Sequence, residues 1–215
     1  MKLLDLFCGA GGASMGYSLA GFEVLGVDNK PQPNYPFEFV QADALDFLTH
    51  NDERFDACHA SPPCQSFSAY RRKGSGVGDG YPNLIPETRQ RLKATGAPYV
   101  IENVPGAPLE DPIQLCGSSF GLDVQRHRLF ESNMPLEAPA CDHSWWTPRF
   151  PPATNRTNLR LTVEVGVWRI PLEVQQQAMG IDWMALKELS QSIPPAYTKH
   201  LGLQLLDHIE GRRAA

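Results

Sequence analysis

The sequence has 215 residues and a mass of 23.8 kDa, which suffices for one sizeable core, whereas a split into two domains would leave each one small. Its formal net charge of −5 argues against a protein that coats nucleic acid by charge alone, although a local basic face is compatible with it. We find no secretory signal and no run of about 18 apolar residues, so we expect a soluble, cytoplasmic protein with no membrane contact.

Apolar runs alternate with helical patterns along the first half of the chain. Strands are predicted at KLLDLF, FEVLGVD, FEFVQAD, FDACHASPP and APYVIENV, and helices at SMGYSLAG, DALDFLTH and IPETRQRLKATG. This alternation predicts an α/β fold with a doubly wound, mostly parallel sheet and helices on both faces. Ligands of such sheets bind at the carboxyl ends of the strands. We therefore expect five residues at one edge: Gly9, Asp28, Asp43, Cys64 and Glu102.

The second half is less regular. Residues 131–170 are rich in proline and tryptophan, and we interpret them as a reduced target-recognition segment inserted between the parts of one catalytic domain, 1–130 and 171–215. The polar, glycine-rich loop 70–82 is either a functional lid or a flexible linker. In the tail, apolar residues recur at every fourth position and predict a helix packed on the core: Tyr197, Leu201, Leu205 and Ile209.

A glycine loop follows the first predicted strand, in DLFCGAGG, and Asp28 ends the second strand. Such a loop lets backbone amides approach a ligand, and the acid can hold ribose hydroxyls. Asp43, after the third strand, is suitably placed for an adenine amino group. The pattern predicts a nucleoside-like cofactor without choosing between NAD and S-adenosylmethionine, and a tight turn can also need glycine for steric reasons alone.

Cys64 follows two prolines in ASPPCQSFSA, so the backbone leading into it is stiff. A free cysteine is usually a small buried hydrophobe, but polar neighbours and a position after a strand favour a catalytic thiol. A nucleophilic role needs a nearby cation or helix N-terminus to lower the thiol pKa. Glu102, at the end of an apolar strand, is either a solvated or capping carboxylate or an acid of raised pKa that donates to a ring nitrogen.

Arg126 and Arg128 are two positions apart in RHRLF and would face the same side of a strand, either as surface residues or as functional ones. The five cysteines form neither a disulfide framework nor a CxxC pair. Cys141 and His143 are compatible with two metal ligands, but nothing nearby in the sequence completes four, so we expect no metal site.

Taken in order, DLFCGAGGAS, GVD, QAD, SPPCQSFS, ENV and RHRLF resemble the ordered motifs of the DNA (cytosine-5) methyltransferases, and the compact layout is similar to small phage and bacterial members. The resemblance implies a Rossmann-like fold and S-adenosyl-L-methionine as cofactor, with S-adenosyl-L-homocysteine as product. It also implies a role in DNA methylation, such as restriction–modification, on double-stranded DNA, by a protein that we expect to be a monomer. The cofactor residues implied are Phe7, Gly9, Ala10, Gly11, Gly12, Asp28, Asn29, Asp43, Ala44 and Pro62.

By the same resemblance, Cys64 would be the nucleophile that adds to C6 of a flipped cytosine, and Glu102 would contact its N3 and amino edge. Arg126 and Arg128 would hold the cytosine and the covalent adduct. The family carries a glutamine two places before the first of these arginines, where this chain has Val124, so a rearranged adduct-binding strand is expected. A short target of about two to four base pairs follows from the brevity of the recognition segment. Candidate DNA contacts are Ser66, Arg71, Arg72, Lys73, Trp145, Trp146, Arg149, Arg156 and Arg160, although the tryptophans are equally compatible with a small core of their own.

Three other functions are compatible with parts of this pattern. An RNA methyltransferase of the same family shares the cysteine and ENV chemistry, but ENVPG differs from the pattern of RNA-directed members. A noncatalytic DNA-binding relative would not need an intact Cys64, Glu102 and glycine loop. A nicotinamide dehydrogenase leaves SPPCQSFS unexplained.

Overall fold

A computed structural model describes residues 1–64, 67, 82–143, 146–147 and 160–214. Its strands are β1 Lys2–Leu6, β2 Glu23–Asp28, β3 Glu38–Gln41, β4 Ala57–Ala60, β5 Tyr99–Asn103, β6 Ile113–Leu115, β7 Arg128–Ser132, β8 Trp146–Thr147 and β9 Arg160–Leu161. Its helices are α1 Gly12–Ala20, α2 Ala44–His50, α3 Ile85–Thr95, α4 Leu172–Met179, α5 Leu186–Gln191 and α6 Pro195–Ala214, with a short 3₁₀ helix at Gly117–Phe120. None of these helices is both long and apolar enough to cross a membrane.

The main sheet has seven strands in the order β3-β2-β1-β4-β5-β7-β6. The first five are parallel, and β7 runs antiparallel to both β5 and β6. Strands β4 and β5 are buried along their whole length and β1 at all but its first residue, as is typical of strands covered on both faces. The predicted doubly wound α/β fold is confirmed. The chain winds outward from β1 in both directions, so the topological switch point lies between β1 and β4.

Local signals position the helices of the first half. Helix α1 ends at Gly21, whose φ of 115° belongs to the left-handed region that favours glycine. Helix α2 begins at Asp43, whose Oδ1 accepts hydrogen bonds from the backbone N–H groups of Leu45 and Asp46 at 2.9 and 3.0 Å. Helix α3 carries Pro86 in its first turn, where the ring costs no hydrogen bond. The three predicted helices are confirmed.

The C-terminal helix α6 packs against α1 and against the sheet. Tyr197, Leu201, Leu205 and Ile209 are all buried, as their spacing predicts. Burying such side chains contributes roughly 1.5–3 kcal/mol each. The two helices approach closely because Gly16 of α1 has no Cβ; one placed there would lie 2.0 Å from Thr198 Oγ1.

Strand β7 continues to Ser132, so Glu131 and Ser132 belong to the main sheet, although we expected the inserted segment to begin at 131. The buried Glu131 carboxylate accepts from Arg89 of α3, at 2.5 Å for Nε and 2.7 Å for Nη2. A buried carboxylate needs such a partner.

Candidate active site

The loop after β1 bends sharply at the edge where the predicted cofactor residues meet. Phe7 and Gly9 have positive φ values of 57° and 50°, and the N–H of Gly9 donates to Asp28 Oδ2 at 3.1 Å. A Cβ on Gly9 would meet nothing within 4 Å, so this part of the loop borders open space. Gly12 differs, because a Cβ there would lie 1.8 Å from Ser192 Oγ. The glycines of this loop therefore serve two purposes. Gly9 leaves space for a ligand to approach, and Gly12 allows the tail to pack closely.

Two carboxylates stand beside this loop. Asp28 is half-buried at the end of β2, and its Oδ1 accepts from the N–H of Lys30 at 2.9 Å. Asp43 is exposed at the end of the β3–α2 turn, and both of its capping hydrogen bonds use Oδ1. The neighbouring Asn29 is exposed, whereas Ala44 is buried in the core.

Trp183, which the sequence reasoning missed, supports the loop from the tail. Its indole Nε1 donates to the carbonyl of Ala10 at 2.9 Å, and Ala10 packs in a cluster with residues of α4 and α5. A single tryptophan 173 positions away carries no local signal of this contact.

The turn that carries Cys64 follows β4, next to β1 across the switch point. Asn103, at the end of β5, donates from Nδ2 to the carbonyl of Pro62 at 2.9 Å, and both residues are buried. This bond holds the double-proline turn against the strand that bears Glu102. Asn103 was not predicted; its position between the acid and Val104 in ENV is the signal that was available.

Glu102 and Arg128 form an ion pair at the junction of β5 and β7. Arg128 Nε lies 3.0 Å from Glu102 Oε1, with the two side chains 15% and 10% exposed. Burial raises the pKa of Glu102, and Arg128 together with a hydrogen bond from Ser61 opposes that rise. The alternative that Glu102 is a solvated carboxylate is therefore wrong.

The thiol of Cys64 is half-buried, and its pKa depends on the charges of Glu102 and Arg128. Burial raises its pKa first, and the charge of Glu102 raises it further, whereas Arg128 and Arg126 lower it. The predicted nearby cations are thus present, but in the free protein they do not outweigh burial and the acid. All four predicted catalytic side chains lie close enough to influence one another's ionisation.

A buried chain of hydrogen bonds continues from Glu102 into the core. Ser61 bonds Glu102 and also His59 Nε2, at 2.9 Å from its Oγ, while Tyr17 OH lies 2.9 Å from His59 Nδ1. Burial lowers the pKa of His59 to about 3, so the imidazole is neutral at physiological pH. The sequence signal that was overlooked is a histidine in the apolar strand ACHA, since a buried imidazole requires partners.

The expectation that Arg126 and Arg128 share one face of a strand is wrong. Strand β7 starts at Arg128, and Arg126 precedes it with a φ of 33°. Its guanidinium donates to the carbonyls of Ser190 and Ser192 at 2.6 and 2.7 Å, at the C-terminus of α5. Burial and the charge of Arg128 lower its pKa to about 9. Arg126 therefore anchors the tail beside the site.

Most candidate DNA contacts, and the predicted lid 70–82 for nearly all of its length, lie outside the described residues: Ser66, Arg71, Arg72, Lys73, Trp145, Arg149 and Arg156. The backbones of Trp146 and Arg160 are register partners in the two-residue parallel pair of β8 and β9. The backbone pairing within 131–170 agrees with the few short strands expected there.

The family model described as C-5 cytosine-specific DNA methylase matches residues 1–111. The type II methyltransferase M.HgiDI of Herpetosiphon aurantiacus is 35% identical over 136 residues, which cover 56% of this chain and 42% of that protein. M.FnuDI of Fusobacterium nucleatum is 32% identical over 49% of this chain and 33% of its own length. The chain thus matches less than half of either relative. M.HgiGI of Herpetosiphon aurantiacus is 32% identical over 51% of this chain and 94% of its own length.

Among solved structures, the S. pombe Dnmt2 methyltransferase has a TM-score of 0.57 at 13% identity and covers 97% of this chain and 99% of its own. The Entamoeba histolytica methyltransferase EhMeth has a TM-score of 0.55 at 13% identity, covering 97% and 98%. These similarities establish the fold. With a family match over more than half of the residues, and with nearly all of M.HgiGI matched, the chain belongs to the C-5 cytosine-specific DNA methylase family.

Proposed function

We propose that this protein transfers a methyl group from S-adenosylmethionine to C5 of a cytosine in DNA, through a covalent adduct of Cys64. The observation that carries the proposal is the grouping of Cys64 with the buried Glu102–Arg128 ion pair across the ends of adjacent strands β4 and β5. Family membership and the type II methyltransferases among the relatives support a DNA substrate.

The residues at the β1 edge fit a nucleoside cofactor. The loop borders open space at Gly9, and the carboxylates of Asp28 and Asp43 supply acceptors for ribose hydroxyls and for an amino group. When bound, S-adenosylmethionine supplies an electrophilic methyl group on a sulfonium. The switch point between β1 and β4 would place this site next to the turn that carries Cys64.

Cytosine C5 is a poor nucleophile until a thiolate adds to C6. In the proposed step the Cys64 Sγ–C6 bond forms and the electron pair of the C5–C6 double bond moves towards C5 and the ring. Glu102, whose pKa burial raises, supplies a proton to N3. The methyl group is transferred to C5 with release of S-adenosyl-L-homocysteine. Loss of the C5 proton to solvent and departure of the Cys64 thiolate then restore the double bond, and N3 returns its proton to Glu102. Before it gives up this proton, Glu102 carries no negative charge to raise the thiol pKa, so protonation of Glu102 also favours the Cys64 thiolate.

Both faces of the base must be reached, so the cytosine must leave the duplex, at a cost of a few kcal/mol. We infer that loop 70–82 closes over the flipped base and that 131–170 reads a short target. The cytosine would be held by Arg128, which stays at the site, more directly than by Arg126, which binds the tail.

A trapping experiment tests the proposal. Duplex DNA containing 5-fluorocytosine is mixed with the 215-residue chain and labelled S-adenosylmethionine. Because fluorine cannot leave C5 as a cation, the adduct should persist as a labelled, denaturation-resistant complex. Cys64→Ala should form none.

Absence of a complex, or an equal signal from Cys64→Ala, would overturn the assignment and favour a noncatalytic DNA-binding protein. A parallel incubation with tRNA separates the RNA-directed alternative, because we expect methyl transfer to duplex DNA only. Bisulfite sequencing of host DNA after expression then gives the target context.

A further inference from the structure

Four side chains converge at the β6–β7 edge of the sheet, outside the proposed active site. The ligand atoms of Cys116, His127, Cys141 and His143 all lie within 4.8 Å of one another, and we refer to these residues as the thiol–imidazole cluster. The sequence reasoning expected nothing to complete the pair in CDH, and that expectation is wrong: the fold supplies a second cysteine and a second histidine.

The antiparallel pairing of β6 and β7 brings the first two members together. Leu115 pairs with Arg128, so the next residue of each segment, Cys116 and His127, lie across from each other. Beyond β7 the chain returns to this edge and adds Cys141 and His143. The separation in sequence explains why no metal-binding spacing is visible there.

One of three sulfur–nitrogen distances equals the separation of ligands on a shared zinc ion, and the other two are shorter. His143 Nε2 lies 2.9 Å from Cys141 Sγ and 3.2 Å from Cys116 Sγ, and His127 Nε2 lies 3.5 Å from Cys141 Sγ. In a tetrahedral zinc site, with Zn–S near 2.3 Å and Zn–N near 2.0–2.1 Å, sulfur and nitrogen ligands are about 3.5 Å apart. Hydrogen bonds alone would pair the groups, whereas here one imidazole nitrogen approaches both sulfurs.

A serine hydroxyl lies beside both sulfurs. The hydroxyl of Ser118, on the 3₁₀ helix, lies 3.3 Å from Cys116 Sγ and 3.7 Å from Cys141 Sγ, so it can donate to the sulfurs that would carry charge. Metal-bound sulfur commonly has such outer partners. Two thiolates and two imidazoles are the ligand set that zinc favours over calcium or magnesium.

We propose that Cys116, His127, Cys141 and His143 bind one Zn²⁺ in a closed, structural, tetrahedral site. Both thiols release their protons to solvent on binding, and four protein ligands leave no position for a catalytic water. The ion would tie the start of the proposed recognition segment to the sheet. It would also fix His127, which stands between Arg126 and Arg128, and so hold the partner of Glu102 in place.

Metal analysis of the protein, purified without a polyhistidine tag, tests this site independently of methyl transfer. We expect about one zinc per chain by mass spectrometry. Cys141→Ser and His143→Asn should lose most of it, and both positions are accessible enough for substitution. The matched controls Cys64→Ser and His50→Asn, whose side chains lie elsewhere, should retain the full content.

A cobalt titration covers the case in which a variant fails to fold. Wild-type protein stripped by a chelator should give the visible bands of tetrahedral, thiolate-bound Co²⁺, and zinc should abolish them. Zinc content unchanged in folded Cys141→Ser would overturn the proposal. So would wild-type protein that holds no zinc and gives no such cobalt bands.

Discussion

At the scale of single residues, the central feature is that Cys64 lies between opposing charges. Burial and the charge of Glu102 raise the pKa of the thiol and Arg128 lowers it, while Glu102 and Arg128 also pair with each other. The resting thiol is therefore kept mostly protonated and unreactive, and a change at either partner should alter its reactivity in a known direction.

Alkylation of Cys64 by iodoacetamide at about pH 8 measures this balance. Glu102→Gln removes the negative charge and leaves Arg128 unpaired, so the thiol pKa should fall and alkylation should become several-fold faster. Methyl transfer should nevertheless drop by roughly 100-fold or more, because the proton donor is lost. Arg128→Gln should slow alkylation, because it removes the cation that favours the thiolate.

Mass spectrometry of the peptide containing Cys64 gives the alkylation rate without interference from the other cysteines. Glu110→Gln is the control, since this exposed carboxylate does not act on the thiol and should leave the rate unchanged. Slower alkylation in Glu102→Gln would contradict the electrostatic account.

At the scale of elements, the contact between α1 and α6 depends on a missing side chain. Gly16 lets Thr198 donate through Oγ1 to the carbonyl of Ala13 at 2.8 Å, because no Cβ intervenes. Glycine inside a helix costs about 1 kcal/mol relative to alanine, so helix propensity alone favours replacing it.

Gly16→Ala should therefore destabilise the protein despite the gain in propensity. The new methyl group would stand 2.0 Å from Thr198 Oγ1 and 2.2 Å from the carbonyl oxygen of Pro195, which forces α6 away from α1. A loss of about 1–3 kcal/mol in the free energy of unfolding is expected from overpacking.

Gly211→Ala is the matched control, because a Cβ at this position in α6 meets nothing within 4 Å. It should stabilise the protein by roughly 0.5–1 kcal/mol. Urea denaturation measures both variants, and equal stabilisation by the two would show that the helices do not pack as described.

The elements also show what the sequence allows one to predict. Apolar runs identify the buried parallel strands, and glycine at Gly21 marks the end of α1, because those signals are local. Arg126 was misjudged because its positive φ breaks the strand geometry and its carbonyl partners are 64 and 66 positions away. Likewise, the thiol–imidazole cluster and Trp183 depend on which distant segments the fold brings together.

At the scale of the whole molecule, two buried groups have opposite effects on the pH dependence of stability. Burial raises the pKa of Asp5 to about 7, so between about pH 4 and 6.5 the folded state holds a proton that the unfolded state lacks. Burial lowers the pKa of His59 to about 3, so over the same range the unfolded state holds the extra proton. As pH rises, Asp5 therefore lowers the free energy of unfolding and His59 raises it.

Asp5→Asn should remove the contribution of Asp5 to the pH dependence of the free energy of unfolding and leave that of His59. Relative to wild type, its free energy of unfolding should rise more steeply between about pH 4.5 and 6.5, by up to about 1.4 kcal/mol per pH unit. His59→Gln should change the slope in the opposite direction. Urea denaturation across this range provides the slopes, and curves parallel to wild type in both variants would refute the assignment.

The packing of α6 also bears on when the core forms during synthesis. Leu3, Tyr17 and Val24, near the start of the chain, share one apolar cluster with Leu201 and Leu205 near its end. The ribosome synthesises the five parallel strands well before α6. This cluster is therefore completed only after α6 has been synthesised, and until then the apolar side chains of the sheet and of α1 that α6 covers are exposed to solvent in the nascent chain.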